Sequence, residues 1–175
     1  MSKFRLVSAD SHVVEPADLW INYISPSFRE KAPRVRKDEN GSDYFYCEET
    51  KLFGPGFMSL AGQPGDRVMP PRLLEHVYPG AYDPDARLEE MAIDGVEAEV
   101  LYPSIAMPMY RLTDGALKRA CFEAYDTWIS EFCSAHPDRF KAVAIVDIDD
   151  IESAVAELRR ARKLGLTGAM TAISS

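Results

Sequence analysis

Near the start of the chain, a short apolar run leads into an acid and a histidine two residues apart: Leu6-Val7-Ser8-Ala9-Asp10-Ser11-His12-Val13-Val14-Glu15-Pro16. Side chains on a β-strand alternate between its two faces, so we expect Asp10 and His12 to point the same way. A carboxylate beside an imidazole at the end of a strand forms half of a divalent metal site. The same residues also suit a turn or helix cap at Asp10 and a structural, hydrogen-bonded His12.

From Asp83 onward the sequence alternates between helical and strand patterns. Apolar residues spaced three and four apart predict helices after Asp83, over residues 115–135 and after Asp149 or Asp150. Strands are predicted over residues 5–10, 96–102, 141–146 and 167–172. This order predicts an α/β fold with parallel strands, as in the doubly wound sheet and the (β/α)8 barrel.

Two features favour the barrel over the doubly wound sheet. No glycine-rich phosphate loop follows the first strand, and acids cluster at the carboxyl ends of strands, where barrels hold their chemistry. We therefore predict one domain over residues 1–175, the first half of a (β/α)8 barrel with about four parallel strands. Residues 83–175 supply the regular units.

Residues 13–82 form a long excursion rich in proline, glycine and aromatic residues. A hairpin is predicted around Asn40-Gly41, between two runs with strand character. Loops of this length usually carry a function. We interpret the excursion as a lid, or as an oligomer contact, over the mouth of the barrel.

Composition and charge exclude several classes of partner. The 175 residues carry a formal net charge of -8, which disfavours nucleic acid and anionic membranes as partners. No apolar run reaches the roughly 18 residues of a membrane span, and no secretory signal is recognisable. The three cysteines have neither metal-finger nor redox spacing, so we expect a cytoplasmic protein with free thiols.

Four stretches of the chain resemble the amidohydrolase superfamily, specifically the metal-dependent hydrolases and decarboxylases related to aminocarboxymuconate-semialdehyde decarboxylase. The stretches are Ala9-Asp10-Ser11-His12-Val13-Val14-Glu15-Pro16, Arg87-Leu88-Glu89-Glu90-Met91 with Asp94-Gly95-Val96, Glu131-Phe132-Cys133 with Pro137-Asp138-Arg139-Phe140, and Ala154-Val155-Ala156-Glu157-Leu158-Arg159-Arg160 with Leu164-Gly165-Leu166-Thr167-Gly168.

The resemblance implies a divalent metal held by Asp10 and His12, with zinc preferred and manganese as the alternative. Val14 stands where a second histidine often occurs, so the opening resembles the carboxylate-x-His version found in decarboxylase members. Related proteins are about twice as long, and their remaining metal histidine and catalytic aspartate lie in the second half. The resemblance therefore places the catalytic aspartate beyond Ser175 and implies that this chain is an N-terminal half, inactive alone.

The implied activity is that of a metal-dependent hydrolase or decarboxylase acting on a small carboxylated, perhaps aromatic, compound. The alternative is a non-catalytic binding or assembly module that retains the fold. Because half of a barrel leaves strand edges unpaired, we expect a homo-oligomer or a complementary second half as partner.

Three residues are candidates for contact with substrate, each with a structural alternative. Glu15 follows the first strand, where it could support His12 or cap a turn. Tyr102 ends the second strand of the barrel, where it could read substrate or simply pack. Arg67 in the excursion could pair with a substrate carboxylate or remain a solvated loop cation.

Overall fold

In the computed structural model, which describes residues 5–56, 59–60 and 63–172, strands and helices alternate along the chain. The strands are β1 (Leu6–His12), β2 (Arg34–Lys37), β3 (Asp43–Cys47), β4 (Thr50–Lys51), β5 (Val96–Tyr102), β6 (Phe140–Ile145) and β7 (Gly168–Met170). The α-helices are α1 (Leu19–Tyr23), α2 (Gly65–Val68), α3 (Pro84–Asp94), α4 (Gly115–Ala135) and α5 (Ile151–Lys163). Short 3-10 helices span Pro26–Lys31, Leu74–His76, Pro79–Ala81 and Met107–Arg111.

The main sheet contains four strands in the order β1-β5-β6-β7, and its neighbouring strands are parallel. Each crossover between consecutive strands of this sheet carries a helix: α3, α4 or α5. Sequential order is the arrangement of a barrel, whereas a doubly wound sheet reverses direction at its switch point. The prediction of half of a (β/α)8 barrel is confirmed.

Each of the three long helices begins after an aspartate whose side chain caps its first turn. Asp83 accepts hydrogen bonds from the amides of Asp85 and Ala86 at the start of α3, and Asp114 and Asp150 cap α4 and α5 with their side chains. The α3 helix ends at Gly95, whose φ of 70° lies in the left-handed region. Glycine reaches that conformation without the steric cost that a Cβ imposes.

Helix α4 is the centre of the core, and its apolar face packs against β6 and α1. From α1, Trp20 donates a hydrogen bond to the carbonyl of Cys121 at 3.1 Å. The Trp20 ring meets Phe45 of β3 edge-on, with centroids 5.5 Å apart. The hydrogen bond from Trp20 to α4 thus joins the excursion to the barrel, and the fully buried Trp20–Phe45 pair packs α1 against β3 within the excursion.

Within the excursion, β2 and β3 form an antiparallel hairpin at the place where the sequence predicts one. Residues 38–42 make the turn, and the Asp38 carboxylate accepts the amides of Asn40 and Ser42 at 2.9 Å. Strand β4 extends this small sheet. No helix in the described ranges is long and apolar enough to cross a membrane.

The half barrel leaves apolar side chains uncovered at both ends of the sheet. Leu6 and Val7 of β1 are more than half exposed. At the other end, exposed Ile151, Val155 and Leu158 repeat along one face of α5. Such a stripe is typical of a helix that packs against a further element.

Candidate metal centre

Asp10 and His12 lie together at the carboxyl end of β1. The Oδ1 atom of Asp10 is 3.6 Å from Nε2 of His12, so the two side chains share one face of the strand, as the two-residue spacing predicts. The pairing of β1 with β5 shifts by one residue between Ser8 and Ser11. This bulge precedes His12, which pairs in register with Tyr102.

The second ring nitrogen of His12 fixes the chemical form of the imidazole. Nδ1 is 2.8 Å from the carbonyl oxygen of Pro103, the residue after β5. A carbonyl oxygen only accepts hydrogen bonds, so Nδ1 carries the proton in the neutral ring and Nε2 presents its lone pair beside Asp10. Histidine ligands of metals are commonly held in this way.

These two donors fit a divalent cation. Ligand atoms about 2.0–2.1 Å from a tetrahedral ion lie roughly 3.3 Å apart, close to the observed 3.6 Å. The Asp10 side chain is 83% exposed and free to move by this small amount. Within residues 5–56, 59–60 and 63–172, no group of three or more His, Cys, Asp or Glu side chains forms a complete metal site.

Glu15 is completely buried, so its carboxylate is not accessible to a substrate. Its carboxylate accepts hydrogen bonds from the amides of Ser104, Ile105 and Ala106, the latter two at 2.8 and 2.9 Å. It therefore caps the turn that follows β5, which is distant in sequence from the turn after its own strand. Burial raises the pKa of Glu15 to about 7, and the amide hydrogen bonds oppose that rise.

The other two candidate substrate ligands have different positions. The ring of Tyr102 lies beside His12, with centroids 5.9 Å apart, and is half-buried. Arg67 belongs to α2, but its side chain lies outside the part of the chain that is described. The structure thus brings Asp10, His12 and Tyr102 together.

A buried ion pair supports the carboxyl end of β1. Arg87 of α3 pairs with Glu99 of β5, and both residues are less than a tenth exposed. The same guanidinium donates to the carbonyls of His12, at 3.2 Å, and Gly80, at 3.0 Å. Glu99 also accepts from Ser11 at 3.0 Å. Arg87 thereby ties the end of β1 to α3.

A cavity of about 710 Å³ opens at the carboxyl edge of the sheet and includes His12 in its lining. Phe53 of the excursion forms part of its wall, and Arg111 lies in the same lining. In the same lining, the Tyr110 hydroxyl lies within hydrogen-bond distance of the carbonyls of Val146, at 3.2 Å, and Met170, at 3.0 Å. A second cavity of about 320 Å³ also includes His12 and Phe53.

Several residues of this region are not indicated by the sequence patterns. Arg111 ends a 3-10 helix, and its guanidinium donates a hydrogen bond to the Pro108 carbonyl at 3.4 Å. No carboxylate in the described ranges forms an ion pair with Arg111. Pro103 acts through its backbone carbonyl, for which the sequence carries no residue-specific signal.

The fold defines the class: the first half of a (β/α)8 barrel, with Asp10 and His12 at the carboxyl edge of its first strand. Solved structures of amidohydrolase-superfamily members share this fold. An amidohydrolase from Mycobacterium avium subsp. paratuberculosis is 18% identical, with a TM-score of 0.71. The likeness covers 98% of this chain and 50% of that one.

Two decarboxylases show the same relationship. The 2,6-dihydroxybenzoate decarboxylase from Rhizobium is 19% identical over 97% of this chain and 38% of its own, with a TM-score of 0.53. The 5-carboxyvanillate decarboxylase from Novosphingobium aromaticivorans, solved with bound manganese, is 18% identical over 95% of this chain and 41% of its own, with a TM-score of 0.57. These likenesses confirm the fold predicted from the resemblance.

This chain spans half or less of the length of these three structures. No protein-family model matches the sequence, and no curated protein matches it.

Proposed function

We propose that this chain provides the first metal ligands of a metal-dependent hydrolase or decarboxylase of the amidohydrolase type. The observation that carries the proposal is the pair Asp10 and His12, with Nδ1 of His12 held by the Pro103 carbonyl and Nε2 beside the Asp10 carboxylate. When bound, a divalent ion would polarise the substrate or a bound water. Zinc suits this donor pair, and the manganese of the structural neighbours makes manganese the alternative.

The substrate we propose is a small carboxylated compound, and we favour one with an aromatic ring. The cavity at His12 combines the apolar wall at Phe53 with the cation of Arg111, which forms no ion pair with any carboxylate of the described residues, and this combination suits a ring that carries a carboxylate. Decarboxylases of aromatic acids are among the structural neighbours. Tyr102 beside His12 and Arg67 of the excursion remain candidate contacts.

We further propose that the site becomes complete only with a second half, from a partner or a second copy. The described residues provide two donors, whereas a catalytic metal site takes three or more protein ligands. The missing ligand and a catalytic carboxylate would come from that half, so this chain alone should show no turnover with zinc or manganese. The protein's three thiols are free, and we place it in the reducing cytoplasm.

Metal titration of the purified chain tests the ligand pair. We expect calorimetry to detect one Mn²⁺ or Zn²⁺ per chain, with affinity lowered at least about 10-fold in Asp10→Asn and abolished in His12→Ala. The control is His136→Ala, which removes a histidine that pairs with Asp85 and is not part of the Asp10–His12 pair. Equal affinity in His12→Ala and His136→Ala would refute the assignment.

A non-catalytic binding or assembly module is the second candidate, favoured by the limited donor set among the described residues. Bound metal separates the two functions, because a module that has lost its chemistry needs none. Metal-dependent turnover by the isolated chain, abolished in His12→Ala, would contradict both the module and the need for a second half.

A further inference from the structure

Glu15 and His12 contact opposite ends of one peptide group. The carbonyl of Pro103 and the amide of Ser104 belong to the same planar unit. Nδ1 of His12 donates to that carbonyl at 2.8 Å. The Glu15 carboxylate accepts from that amide, with its two oxygens 3.2 and 3.3 Å from the nitrogen.

The Glu15 carboxylate is also held by the two residues that follow Ser104. Its oxygens accept from the amides of Ile105 and Ala106, and its side chain is completely buried. Three amide donors converging on one carboxylate fix the backbone after β5 in one conformation. The position of the Pro103 carbonyl is therefore set by Glu15.

We propose that Glu15 is a positioning residue that holds His12, through the Pro103–Ser104 peptide group, in the form that binds metal. This inference rests on the proposed function, since it concerns the ligand chemistry of His12. Hydrogen bonds joined through a peptide group polarise one another, so a negative charge at the amide strengthens the carbonyl as an acceptor. The arrangement resembles a carboxylate–histidine–metal triad with a peptide inserted between carboxylate and ring.

The tautomer of His12 reports on this relay without any metal. In ¹⁵N-histidine NMR at pH 8.5, where imidazole is neutral, we expect wild-type His12 to be protonated at Nδ1, with its signals assigned by their loss in His12→Ala. In Glu15→Gln the amide side chain places a donor against backbone donors, and we expect a mixture of tautomers. Glu15→Asp retains the charge on a shorter side chain and should lie between the two.

Two controls separate positioning from general loosening of the loop. Ser104→Ala removes a hydroxyl 3.5 Å from Nδ1 but retains the amide that Glu15 binds, and it should leave the tautomer unchanged. Ile105→Val lowers packing in the same turn without touching these hydrogen bonds and should also leave it unchanged. An equal shift in Ile105→Val would overturn the proposal, as would an unchanged tautomer in both Glu15 variants.

Metal affinity provides the second measurement. We expect Mn²⁺ to bind Glu15→Gln about 10-fold more weakly than wild type, and Ser104→Ala within 2-fold of it. If wild type binds no Mn²⁺ while the Glu15 variants still shift the tautomer, the relay stands and the proposed metal site fails. A retained tautomer with full Mn²⁺ affinity in Glu15→Gln overturns the relay and leaves the metal site in place.

Discussion

Replacing Arg87 by methionine tests how the end of β1 is supported. The substitution removes the ion pair with Glu99 and the hydrogen bonds to the carbonyls of His12 and Gly80. Glu99 is 8% exposed, and among the described residues it would retain the hydrogen bond from the Ser11 hydroxyl. Leaving a buried carboxylate without its counter-charge costs about 3–5 kcal/mol, so we expect the free energy of unfolding to fall by that amount.

Urea unfolding followed by tryptophan fluorescence measures this loss, since Trp20 and Trp128 are both buried. Arg159→Met, which alters an exposed arginine on α5, is the matched control and should change stability by less than about 0.5 kcal/mol. The double variant Arg87→Met/Glu99→Leu removes both charges and should recover most of the loss. A single variant that loses less than about 1 kcal/mol, or a double variant no more stable than the single, would refute the reasoning.

Three further predictions concern stability. The pKa of Glu15 rises from 4.5 to about 7 on folding, so the folded chain binds the proton more tightly than the unfolded chain does, and the free energy of unfolding should fall by about 3 kcal/mol as pH rises between these values. This pH dependence should flatten in Glu15→Gln, and an identical pH profile in that variant would contradict the prediction. Asp83→Ala removes the cap of α3 and should cost about 1 kcal/mol in urea unfolding, an unchanged midpoint being the adverse result. Trp20→Phe removes the indole N–H that donates to the Cys121 carbonyl and leaves a cavity at a fully buried site, so thermal unfolding should show a loss of at least about 1 kcal/mol, and an unchanged midpoint would contradict this.

The regular part of the fold could be predicted because its signals are local. The apolar repeat of α4 and the caps at Asp83 and Asp150 lie within a few residues of the helices they define. Strand β5 has the predicted bounds, whereas β1 extends to His12, two residues further than expected. The bulge after Ser8 explains this difference, because an extra residue lets the strand regain its pairing.

The candidate site could be predicted only in part. The two-residue spacing of Asp10 and His12 predicts that their side chains lie on the same face, because side chains alternate along a strand. The partners of Glu15 are about 90 residues away, and they are backbone amides that no side-chain pattern marks. Arg111 and Phe53 likewise line the cavity although they are distant from His12 in the sequence. Contacts of this kind depend on tertiary packing, which the sequence does not reveal locally.

The pairing of β1 with β5 is delayed during synthesis, because β5 leaves the ribosome long after β1. About 80 residues of excursion and α3 separate His12 from Val96. At about 5–20 residues per second, a ribosome needs roughly 4–16 s to produce them. During that interval β1 has no strand beside it, while the hairpin of β2 and β3 can close within microseconds of emerging. Nascent β1 is therefore the segment for which a holding chaperone would matter most.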